Sequence, residues 1–279
     1  MRARISQPTI RDQISTFAAM VRKEITILSR YPVNFLASFG QIFLIVAIFT
    51  LAGLTFSPTG QGNAVVSGLV VYGFVLFIFL SDTLWTIGYN VREEQVQGTL
   101  EQLYLSPANK FASLVARVSH LLIWTSLVNF TGVLVMRALL GALPVENPGL
   151  GLYILTMSLL GTFGFGFAFA AVTLHLRETA QTLLNFLQFS FMILSAMFFP
   201  FSILPDSVLF LSRLIPFSYA VDAFRSTLMG YPAGFPELAP IEVELIIITL
   251  FGLLMPLVGF YLYRRAELAA RRRGSLSEY

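Results

Sequence analysis

Cysteine is absent from this chain, which excludes a disulfide framework, a thiolate metal site and a cysteine nucleophile. Lysine is nearly absent too: Lys23 and Lys110 are the only two, and neither follows a glycine-rich loop. No GxxxxGK[ST] phosphate cradle can therefore be formed, and ATP is not bound by that route. The two histidines, His120 and His175, stand alone, with no HExxH and no carboxylate pair beside them, so no metal centre is expected. No GxSxG elbow is found either. These absences leave no recognisable active site, and the chain is not expected to be an enzyme or to bind a cofactor itself.

Charge is the next scarcity. Asp, Glu, Lys and Arg make up 12% of the 279 residues, where soluble domains carry about 25%. What fills the space is apolar: 56% hydrophobic residues, 27 of them Phe, with mean hydropathy +0.76. Such a chain is expected to be an all-α integral membrane protein and a single domain over 1–279. Six apolar segments, at about 33–54, 64–88, 112–140, 150–174, 181–201 and 244–263, are each long enough to cross a hydrocarbon core as a helix that satisfies its own backbone.

The cations sit at the ends. Of the 18 Lys and Arg, 15 fall in the two tails, the loops at 90–111 and 175–180, and Arg117, leaving Arg137, Arg213 and Arg225 on the other side. That asymmetry places both termini and the 90–107 stretch in the cytoplasm of a multi-pass protein of the cell membrane. It reads as orientation and lipid contact, and nucleic acid is not an expected partner. Residues 1–30 carry charge throughout and lack a cleavable signal pattern. Within 10–30, Ile10, Ile14, Phe17, Val21, Ile25 and Leu28 recur at helical spacing, predicting an amphipathic helix in the headgroup boundary. Packing against a soluble domain is the other reading of that face. The segment 202–243 is broken by Pro205, Pro216, Pro232, Pro236 and Pro240. It predicts short helices on the outer side before the last span, with Asp222 and Arg225 on one face.

Ionisable residues inside spans are costly and few. Asp82 lies in the cytoplasmic third of the second segment, and Arg117 opens the third at comparable depth. An interhelical pair of the two is one expectation, and interfacial snorkelling of each is the other. The fourth segment carries Gly161, Gly164, Gly166 and Ala168, a small-residue surface for close helix packing. No chain of buried carboxylates and no repeated broken-helix signature marks a self-contained secondary carrier.

One polar island remains. REEQVQGTLEQLYLSP, residues 92–107, resembles the signature of ABC-2 type exporter permeases, the membrane subunits of ATP-binding cassette transporters. LRETAQTLLNFLQFSFMILSAMFFP and the following FSILPDSVLFLSRLIPFSYAVDAFRSTLMG, together residues 176–230, resemble that family's second conserved region, and RYPVNF enters the first span as its members do. The resemblance covers about residues 20–265. It implies a subunit that pairs with a second permease, identical or related, and docks on two copies of a cytoplasmic ABC ATPase, where ATP and Mg are held. It also implies that the 90–107 segment is a coupling helix seated in the ATPase, with Arg92, Glu93, Glu94, Gln97, Gly98, Thr99, Glu101 and Pro107 in contact. Arg177 and Glu178 would make a second, smaller contact, and spans one, two and five would lie near the dimer interface. Thr99 can cap a helix and Gly98 permits close approach, while Leu100, Leu103, Tyr104 and Leu105 argue for a docked helix over a solvated loop. The expected function is export of an amphipathic, lipid-like or lipid-linked substrate from the cytoplasm or inner leaflet of a prokaryotic plasma membrane. Export of undecaprenyl-linked polysaccharide is the alternative, and a mechanotransmitting subunit that transports nothing is a more distant one.

Overall fold

The computed structural model describes residues 18, 22, 26, 30, 32–56, 63–89, 110–140, 143–176 and 179–273. Helices are the only regular elements among them. In chain order they are α1 (Pro32–Phe56), α2 (Asn63–Thr83, continued as a π turn over Leu84–Tyr89), α3 (Lys110–Leu140) and α4 (Pro148–Leu176). After these come α5 (Ala180–Leu194), a 3-10 turn at Phe201–Ile203, α6 (Asp206–Arg213), α7 (Pro216–Leu228) and α8 (Ile241–Arg273). Of the expected interfacial helix, Ala18, Arg22, Thr26 and Arg30 are helical and exposed, and Thr26 Oγ1 donates to Arg22 O at 2.8 Å. The rest of 10–30 lies outside the described residues.

Proline sets several starts. α1, α4 and α7 each begin on one, where its fixed φ suits the first turn and its missing N–H would have had no helical partner. Pro240 precedes α8, and its carbonyl accepts from Val243 N at 2.9 Å and Glu244 N at 3.2 Å. The six apolar segments coincide with α1, α2, α3, α4, α5 and α8. Among the described residues three stretches are long and apolar enough to cross a membrane: Val65–Ile87, Pro148–Thr173 and Ile241–Ala269. The pair α6 and α7, bent by 96°, makes a fourth if it is counted as one span.

The fifth helix is shorter than the apolar run that encodes it. α5 stops at Leu194 rather than 201, because Ala196 takes a left-handed φ of 48° and Pro200 forbids a continuing helix. Its 15 residues span only about 22 Å. The segment between α5 and α8 forms the short helices α6 and α7, as expected, and α7 lies within the packed helices. Eleven of its 13 residues are buried, packed among α2, α4 and α8.

α2 is the central element. Buried at 83% of its most apolar window, against 17% for α8, it touches α1, α3, α4 and α7, and its π turn meets α5. α4 and α8 form the most extensive pair. A β-carbon on Gly259 would lie 1.9 Å from Gly164 O, and one on Gly161 would lie 2.2 Å from the Phe251 ring. Only glycine permits that approach, which falls where Pro256 interrupts the α8 ladder. Gly166 faces the other way, toward Thr83 and Ile87 of α2. The small-residue surface read from the sequence thus serves two neighbours.

Candidate functional site: two polar ties on the central helix

Polar side chains gather at two levels of α2. The first is its C-terminal end, immediately before the 90–107 stretch. Asp82 Oδ2 accepts from Thr125 Oγ1 of α3 at 2.6 Å. One turn on, Trp85 Nε1 donates to Gln188 Oε1 of α5 at 2.9 Å, and Gln188 Nε2 returns a bond to Ser81 Oγ at 3.0 Å. Ser81, Asp82 and Trp85 therefore fasten α2 to both α3 and α5. In an apolar surrounding such bonds orient helices where packing alone lets them slide. The π turn that begins at Leu84 adds a residue to the helical ring, a distortion that often marks functional positions.

The second level lies in the N-terminal half of α2, against α7. Arg225 is fully buried. Its Nη2 donates to Ala196 O at 2.7 Å and Met197 O at 2.5 Å, and Nη1 to Phe199 O at 3.4 Å. The guanidinium thus ties down the turn that follows α5, on the side of that helix's negative pole. Arg225 lies against Gly73 of α2, the one residue type that leaves room for it: a β-carbon there would stand 2.2 Å from both Nη2 and Met197 O. Beside it, the Tyr72 hydroxyl donates to Pro144 O ahead of α4, and the Tyr72 ring meets Phe224 of α7 edge-on at 6.0 Å.

Asp222, one turn before Arg225, is equally buried. Its Oδ2 accepts from Glu237 N and Leu238 N, each at 2.7 Å. The Glu237 carboxylate in turn accepts from Phe201 N at 3.0 Å and Ser202 N at 2.7 Å. Asp222 and Arg225 do share a face, as their spacing predicts. Each is spent on backbone far along the chain, one on the strap 237–238 and the other on the turn after α5.

The expected coupling residues Arg92, Glu93, Glu94, Gln97, Gly98, Thr99, Glu101 and Pro107, and the second contact at Arg177 and Glu178, lie outside the described residues. Of the expected pair, Asp82 is placed as above. Arg117 belongs to α3, two turns before Thr125, and its side chain is outside the described residues. Residues not singled out by the sequence include Thr125, Gln188, Glu237 and Glu244. A polar residue amid an apolar run was the available signal for Gln188, and Glu244 stands as an acid in the first turn of α8, whereas the carbonyls of 196–199 carry no sequence signal at all.

The hydrogen bonds of both levels join helix to helix and side chain to backbone. Among the described residues no three His, Asp or Glu side chains are grouped to hold a metal. A small apolar cleft of about 20 Å3 opens between α1, α2 and α3, lined by Phe43, Val46, Val71, Phe74 and Asn129 among others, with room for about one water. Comparison with curated proteins finds no match. The family model described as ABC-2 family transporter protein matches residues 55–261. The chain therefore belongs to the ABC-2 transporter family, as a multi-pass membrane permease subunit of an ABC transporter that works with an ABC ATPase subunit.

Proposed function

We propose that the chain is the membrane half of an exporter, paired with a second permease subunit and driven by two ATPase copies through residues 90–107. The observation that carries this reading is the tie at the end of α2. The coupling stretch follows directly on Tyr89, and the preceding turns are bonded to α3 by Asp82–Thr125 and to α5 by Trp85–Gln188–Ser81. A displacement delivered to 90–107 is thereby passed to three spans together, as a rigid lever requires.

In this reading six spans cross the bilayer, both termini are cytoplasmic, and α6 with α7 forms a re-entrant roof on the outer side. The second permease packs near α5, whose Phe186, Phe189 and Ile193 form one exposed apolar stripe. The substrate is an amphipathic or lipid-like molecule taken from the cytoplasm or inner leaflet. The ATPase partner supplies the Mg site and the phosphate cradle, whose GxxxxGK[ST] motif is missing from this sequence.

The test is reconstitution of the permease with its ATPase in vesicles, with ATP on the ATPase side. A fluorescent short-chain phospholipid analogue and a cationic amphipathic dye serve as probes. Probe movement that needs ATP and both subunits supports the reading. No assembly with the ATPase contradicts it, and loss of surface glycan in a deletion strain, with neither probe moved, assigns the polysaccharide alternative.

A further inference from the structure

Asn129 of α3 is 7% exposed, and its amide Nδ2, fully buried, meets no hydrogen-bond acceptor. A buried donor left unpaired costs stability that an apolar side chain of the same shape would not. The polar ties of the central helix leave it out: Asp82 takes Thr125, one turn earlier on α3, and Gln188 takes Trp85 and Ser81. The same Asn129 lines the cleft between α1, α2 and α3, opposite Phe43 and Val46 of α1 and Val71 and Phe74 of α2, and it is the one polar side chain in that lining among the described residues. One turn further along α3, Gly132 also lines the cleft, and a β-carbon there would meet nothing within 4 Å. A buried unpaired donor and an open space of about 20 Å3 are thus found together in the middle of three apolar spans.

Water fits the space but not its walls. A buried water makes about three hydrogen bonds, the backbone of a spanning helix spends its own groups within the helix, and the lining offers one amide. A cation finds no acidic side chain there among the described residues. A plain hydrocarbon fills the space and leaves Nδ2 unpaired. What satisfies both is a slender aliphatic chain carrying one uncharged acceptor oxygen, as in a ketone, an ether or an ester carbonyl.

We propose that the cleft between α1, α2 and α3 is a binding site for an uncharged amphipathic molecule from the bilayer, whose acceptor oxygen takes the Asn129 amide N–H. The terminal torsion of an asparagine side chain is broad, so the amide turns toward a bound oxygen at little cost. The space admits that oxygen with the carbon that bears it, and the rest of the chain runs from the mouth of the cleft into lipid. No residue of α5, the helix assigned above to the second permease, is in the lining. Binding needs no ATP, so it stands or falls separately from export.

The sample is the permease–ATPase complex in lipid nanodiscs, without ATP. The probes are a long-chain 2-alkanone bearing a photoreactive diazirine and a terminal alkyne, and the matching alkane without the ketone. Labelling of residues 128–133, mapped by mass spectrometry, is divided by labelling of the exposed face of α8 at Leu253 and Leu257, which corrects for partitioning into lipid. In the wild type the ketone should exceed the alkane at the cleft by about fivefold, within the range of one net hydrogen bond. Asn129→Leu should bring the two probes level and melt no lower than the wild type, since it discards an unpaired donor, whereas a merely structural Asn129 would melt lower when replaced. Gly132→Leu, which fills the space from one turn away, should exclude both probes. The wild-type comparison decides alone if a variant fails to fold: equal labelling by the two probes overturns the proposal, and so does a preference for the ketone that survives Asn129→Leu. Disulfide cross-linking of two permease copies through Gly132→Cys, in a chain with no other cysteine, overturns it as well and assigns the cleft to the second copy.

Discussion

Gly73 and Arg225 are in direct contact across the α2–α7 interface, at a separation that admits no β-carbon on residue 73. Through that contact the central helix supports the guanidinium that ties down the turn after α5. Gly73→Ala should therefore displace Arg225 or push α7 outward, at a cost of about 1–3 kcal/mol. Gly132→Ala is the control, since nothing lies within 4 Å of a β-carbon there. Thermal melting of the two variants in the same nanodisc preparation separates them: Gly73→Ala melts lower and Gly132→Ala does not.

Arg225→Ala removes the donor from three carbonyls and leaves Asp222 and Glu237 without a nearby positive charge. A loss of about 3–5 kcal/mol is expected, read as loss of folded protein on size-exclusion chromatography. Arg225→Lys keeps the charge but replaces a planar fork with a single ammonium, which cannot reach all three carbonyls at once. It should recover part of the stability and not all.

The helix pair α4–α8 depends on bare backbone. Gly164→Val brings a side chain into Met255 and Pro256, whose backbone atoms lie 2.2–2.4 Å from a β-carbon at that position. Backbone cannot rotate out of the way as a side chain can, so α4 and α8 should separate and the variant should fail to accumulate in the membrane. Normal accumulation, measured by immunoblot of washed membranes, would show that the pair tolerates separation.

Gln188 and Thr125 carry the ties that transmit motion in the proposed mechanism. Gln188→Leu removes the acceptor from Trp85 Nε1, and Thr125→Val removes the donor to Asp82. Each loss is worth about 1–3 kcal/mol. Both variants should assemble with the ATPase yet transport fewer probe molecules per ATP hydrolysed. Trp85 emission should shift in Gln188→Leu, reporting the lost bond independently of transport.

Helix placement was legible because α1 to α4 and α8 are written as long apolar runs with proline at several starts. The end of α5 was not, because residues 195–201 are as apolar as the helix they follow, and only Pro200 hints at the turn. The spacing of Asp222 and Arg225 correctly puts them on one face. What they bind is invisible in the sequence, since their partners are backbone groups 15 to 29 positions away. The ABC-2 resemblance rests on residues 92–107 and 176–230, and the family match over 55–261 agrees with it. The side chains assigned to coupling await direct test.

That test is the triple substitution Glu93→Ala, Glu94→Ala and Glu101→Ala in the reconstituted permease–ATPase complex, with assembly and ATP-dependent probe transport measured together. The account predicts that assembly weakens or that transport per ATP falls by about tenfold or more, the equivalent of about 1.4 kcal/mol of lost coupling. Unchanged assembly together with unchanged transport would contradict it.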